Sequence, residues 1–168
     1  DDVARTGRGA SQAQCELVGF AARVHEVADR QRRRQRVHET IREAQTLTAL
    51  VDYTGEEVTD SLRCAHWFYE DAKLHTKGKS FGIRLDTHGG RFAEGLDYEK
   101  SVETVGHWLG VHGEYNIVEQ VLGGRAFQLD PNNILVDKVR RILFGKGVSV
   151  AAIIHVRRAL DRAGYKDS

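Results

Sequence analysis

The chain has 168 residues, enough for one domain with a substantial core. It is 40% hydrophobic and 29% charged, with net charge +1, so no global field draws it to nucleic acid or anionic membrane. No apolar run approaches a membrane span, and the first residues do not read as a signal peptide.

Cys15 and Cys64 have neither the number nor the spacing of a zinc site or a disulfide scaffold, which points to a reduced, cytoplasmic protein. The chain has no methionine and a single proline, Pro131; the missing initiator reads as processing or excerpting.

Residues 5–10 form a glycine-punctuated entry. Ser11 and Gln14 make a capping-box pattern, and Leu17, Phe20, Ala21, Val24, Val27 and Ala28 recur at helical spacing. The Arg-rich run Arg30–Arg36 follows. It can grip phosphates or RNA, but no aromatic residue interleaves it, and a solvated helix face or linker reads better.

Residues 47–54 read as a strand ending near Asp52. Thr54 and Glu57 then have capping-box spacing, before a helix lined by Val58, Leu62, Ala65, Tyr69 and Ala72. Lys77, Gly78 and Lys79 supply a cationic helix end with a glycine C′ residue. A second strand follows over 80–86. Phe81, Ile83 and Leu85 alternate with Gly82, Arg84 and Asp86, giving one face for packing against helices and one bearing charge.

Strand, helix and strand within about forty residues make a βαβ unit with parallel strands. Asp52, Arg84 and Asp86 then sit at the carboxyl ends of neighbouring strands, where α/β folds place ligands. An Arg84–Asp86 salt bridge that merely closes the strand end is the competing reading.

Helices are expected over Asp97–Leu109 and Asn116–Leu122, broken by Gly110, Gly113 and the Gly123–Gly124 pair. A turn at Asp130–Asn133 opens a new element, with a helix over Val136–Phe144. Ser149 caps a last helix through Ala163 whose expected buried face is Val150, Ile153, Ile154 and Leu160. The eight histidines are scattered, and His107 and His112 are too far apart to share a helical face, so surface or packing roles fit better than metal ligation.

Residues 80–90 and the Val156–Tyr165 phrase, with its Leu160, Asp161, Ala163, Gly164 and Tyr165, resemble the central barrel of nicotinate phosphoribosyltransferases. Leu50, Val51 and Asp52 resemble the preceding strand end of that family, and Arg8–Ser11 its Arg-Gly-[Val/Ala]-Ser loop. The resemblance covers residues 5–19 and most of 47–168. It implies an α/β fold, part of a TIM-like (β/α) barrel with parallel strands. Residues 1–46 would be an N-terminal loop, helix and Arg-rich segment, and 47–168 the partial barrel, with a helical insertion over about 91–148.

The implied activity is transfer of phosphoribosyl from PRPP to a nicotinate-like pyridine carboxylate in NAD salvage, with Mg²⁺ and in a homo-oligomer. By the same resemblance Asp52 and Asp86 are catalytic on the ribose side, Arg8 contacts base or PRPP, Arg84 holds nicotinate or phosphate, and Thr87 adds a hydroxyl. ATP coupling in the family uses a phosphorylated histidine; His38 is nearest in position, but its surroundings do not match. The family's Gly-Thr loop and Ser-Gly-Gly phosphate loop have no counterpart here. That favours the alternative of a non-catalytic homologue or fragment acting as an interaction or regulatory subunit.

Overall fold

A computed structural model describes residues 41, 43–51, 54–125 and 133–165. Two strands, β1 (Thr46–Val51) and β2 (Ser80–Leu85), pair in parallel from Thr46 opposite Ser80 to Val51 opposite Leu85. Helix α1 (Glu57–His66) connects them, so the βαβ reading holds. Among the described residues four more α-helices follow: α2 (Tyr98–Leu109), α3 (Glu114–Val121), α4 (Ile134–Phe144) and α5 (Val150–Arg162). The result is a mixed α/β arrangement whose sheet, among the described residues, has these two strands.

The alternation in β2 sorts its faces as expected. Phe81, Ile83 and Leu85 pack against a cluster built on Ala65 of α1 and Val156 and Leu160 of α5. A second cluster joins Ile41, Leu47, Phe68 and Leu74. The third lies within the helices, where Val105, Ile117, Val136, Phe144, Ala151 and Ile154 interlock. Helix α5 belongs to two of these clusters, which explains why its buried side differs from the single stripe expected. Ala151, Ala152, Ile154, Val156 and Leu160 are buried, whereas Ile153 is 53% exposed.

The first crossover helix also departs from a regular pattern. It leaves α-geometry after His66 and widens into a π-turn over Trp67–Asp71, where the Ala72 amide reaches the Trp67 carbonyl at 2.8 Å. The extra residue in that turn delivers Phe68 to complete burial, stacked on Phe81 with centroids 5.0 Å apart. Tyr69 stacks instead on Tyr165 beyond α5. Gly78 does terminate a helix in the left-handed region, but it closes a 3₁₀ turn over His75–Lys77.

Capping side chains account for three of the remaining starts. Asp97 accepts from the Lys100 amide, Asn133 from Leu135 and Ser149 from Ala152. Helix α3 begins two residues before the expected Asn116, at Glu114, behind a Gly113 N-cap with φ 85° and no capping side chain. Among the described residues, no helix is long and apolar enough to cross a membrane.

Candidate functional site

Because Val51 pairs with Leu85, β1 and β2 end at the same edge of the sheet. Arg84 and Asp86 stand exposed there, followed by the Gly89–Gly90 turn. Residues two apart in extended chain share a side about 6.6 Å from one another, and Asp86 directly follows the last residue of β2. The ion pairs among the described residues include neither of them, so no Arg84–Asp86 bridge closes the strand end. Asp52 and Arg8, with His38 and Arg30–Arg36, lie outside the described residues.

Thr87 is placed differently from a substrate-facing hydroxyl. It is 6% exposed, and its Oγ1 donates to Glu57 Oε1 at 2.9 Å. Glu57, in the first turn of α1, is wholly buried. Its carboxylate also accepts from the Glu94 amide at 3.0 Å and pairs with Arg91 Nη2 at 2.5 Å. Burial by itself pushes this carboxyl up, but the Arg91 guanidinium and the surrounding donors outweigh it and hold the group below its ordinary 4.5. Glu57 is therefore a fully partnered buried anion.

Glu94 returns the connection. Its carboxylate accepts from the Thr59 amide at 2.8 Å and from Thr59 Oγ1 at 2.6 Å. Thr59 is the third residue of α1, so a loop residue far along the chain fills the role of a capping side chain. This corrects the Thr54–Glu57 capping box. Glu56 occupies the N-cap without a side-chain cap, and Thr54 Oγ1 bonds Asp60 at 3.2 Å. Local spacing carried no sign of Glu94; the usable signal was a glutamate following a strand end, eight residues beyond Asp86.

The loop 86–97 is also seated on the turn before α5 and on α5 itself. The Gly147 amide donates to the Arg91 carbonyl at 2.8 Å, and a Cβ on Gly147 would meet Gly89 Cα at 3.3 Å. Gly147 has φ 82°, so glycine is needed there for both conformation and space. Gly95 packs close to the His155 ring. Burial, then Arg162, holds that imidazole below its ordinary 6.5. Beside the loop opens a shallow hollow of about 790 Å³ lined by Thr54, Gly55, His88, Arg91 and Glu94 among others.

Among the described residues, no three His, Cys, Asp or Glu side chains gather as a metal cage. Mg²⁺ is ordinarily held by one or two carboxylates together with substrate phosphates. The exposed Asp86 fits that mode. Cys64 is not a nucleophile at neutral pH, since burial, then Asp60, pushes its thiol up to about 11. Set against protein-family models, curated proteins and solved structures, the chain matches none.

Proposed function

We propose that the chain derives from a phosphoribosyltransferase barrel and binds PRPP and a nicotinate-like base at the carboxyl edge of β1 and β2. On this reading the two strands are adjacent barrel strands, and α2–α4 are inserted before the helix that follows β2. The observation that supports it is the pair Arg84 and Asp86, exposed at a parallel strand end and outside every described ion pair. It also draws on the resemblance of residues 80–90 and 156–165 to that family.

In the transfer, the bond between ribose C1 and the pyrophosphate oxygen breaks, and the pyridine nitrogen takes its place at C1. The Asp86 carboxylate holds ribose hydroxyls and stabilises positive charge developing on the sugar. Arg84 offers its planar fork to the pyridine carboxylate or to phosphate oxygens. Asp52 joins Asp86 on the ribose side and Arg8 contacts base or PRPP, in a cytoplasmic homo-oligomer. Mg²⁺, when bound, neutralises charge on the departing pyrophosphate.

The test is calorimetric titration of PRPP with Mg²⁺ into the chain and into an Asp86→Ala variant. Binding by the parent that weakens about tenfold or more, roughly 1.4 kcal/mol, in the variant is expected. A parent that binds no PRPP, with or without nicotinate, overturns the proposal.

One observation favours the second reading, an interaction or regulatory subunit. Beside β2 lies a groove of about 400 Å³ lined by Ile83, Leu85, Ile153, Val156 and Leu160 among others. Among the described residues the outer edge of β2 has no neighbouring strand. An open strand edge is a ready template for pairing with another chain. Absence of PRPP binding together with a stable complex in sedimentation would establish that reading in place of the first.

A further inference from the structure

Glu57 gathers donors from one loop. Thr87 directly follows Asp86, Arg91 lies mid-loop and Glu94 is near its end; all three converge on a single buried carboxylate. Glu57 itself is fixed by the first turn of α1, which packs on the sheet. Glu94 answers by gripping Thr59, two residues further on. A stretch containing Gly89 and Gly90, which alone would sample many conformations, is thus tied at three points to a rigid element.

We propose that Glu57 is the positioning residue of the strand-end loop, fixing Thr87–Glu94 so that Asp86 meets a phosphoribosyl ligand in one orientation. The ligand part of this inference rests on the proposed function above; the loop part does not. Glu57 touches no substrate and acts through Thr87, Arg91 and the Glu94 amide. Thr87 accordingly serves as the link between clamp and carboxylate. Misplacing a group by about 1 Å from its productive geometry costs on the order of a hundredfold in rate, so such a clamp acts on the site from inside the protein.

The test uses the full chain with Glu57→Gln, Thr87→Val and Thr87→Ser. Glutamine keeps the shape of Glu57 but cannot accept from all three donors. Valine deletes one donor and leaves the Arg91 pair in place; serine retains the hydroxyl. Amide hydrogen exchange over residues 86–96 is read together with calorimetric binding of Mg²⁺-PRPP.

Glu57→Gln and Thr87→Val are each expected to speed exchange in this loop about tenfold or more, with α2–α4 unchanged. Each should also weaken Mg²⁺-PRPP binding by a similar factor, and Thr87→Ser should restore most of what Thr87→Val loses. Unchanged loop exchange overturns the clamp. A loosened loop with undiminished PRPP binding overturns the positioning role. A parent that fails to bind PRPP overturns the proposed function instead, and the exchange rates then decide the clamp alone.

Discussion

Glu94→Ala tests the long-range cap of α1. The substitution removes the acceptor of two bonds, from the Thr59 amide at 2.8 Å and from Thr59 Oγ1 at 2.6 Å. Loss of a helix cap costs about 1 kcal/mol. Removing negative charge from the first turn costs about 0.5 kcal/mol more. A half-buried hydroxyl bond to a carboxylate adds about 1 kcal/mol. Together these predict a loss of about 2.5 kcal/mol, or a fall in Tm of roughly 5–10 °C for a chain of this size. In a Thr59→Ala background the hydroxyl is already absent, so the same change should cost only about 1.5 kcal/mol. The double-mutant cycle should therefore show coupling of about 1 kcal/mol. Urea unfolding of the four proteins, followed by far-UV circular dichroism, measures it. Coupling below about 0.3 kcal/mol would remove the hydroxyl bond from the account, and a loss below about 0.5 kcal/mol for Glu94→Ala in the Thr59→Ala background would refute the cap.

Two further expectations follow from the same structure. Gly106→Ala should destabilise by about 1–3 kcal/mol through overpacking, against a helix-propensity gain of about 1 kcal/mol. The added Cβ would lie 2.5 Å from the Val111 carbonyl oxygen and 3.2 Å from Ile117 Cδ1, so a raised urea midpoint would contradict this packing. Stability should also fall on the acid side in two stages. His155 is held below 6.5 in the folded chain, so unfolding takes up a proton and stability declines as pH drops below 6.5. Glu57 is held below 4.5; its contribution is complete above that value and is lost as pH falls through the lower folded pKa. Urea titrations across pH should find the decline below about 6.5 flattened in His155→Gln, and an unaltered slope would remove His155 from the account.

What was legible in the sequence was what local pattern controls. Alternation in residues 80–85 identified β2 and its packed face, and strand–helix–strand spacing identified the parallel pair. Asp97, Asn133 and Ser149 announce helix starts through side chains that act within their own turn. The failures have non-local or irregular causes. Phe68 is among the most buried residues, but a π-turn shifts the helical period just where it lies. Ile153 carries an apolar side chain to the surface because α5 divides its contacts between two clusters.

The placement of the candidate residues was legible to the same degree. Strand polarity alone placed Arg84 and Asp86 at the carboxyl edge of the parallel pair, and they lie exposed there. Glu57 was missed as a buried anion because a glutamate in a first helical turn ordinarily faces solvent, and its partners come from thirty or more residues away. Thr87 looked like a hydroxyl for ligands, since nothing in residues 80–90 reveals that Glu57 would claim it.

The double membership of α5 bears on how the protein holds together. Ala151 and Ile154 complete the helical cluster, while Val156 and Leu160 cover the face of β2, so both closures await one helix. Without Val150–Arg162 the face of β2 that carries Phe81, Ile83 and Leu85 loses its cover, and exposed apolar surface of that kind invites misassembly. A substitution that unseats this one helix should therefore loosen the sheet face and the helical cluster together.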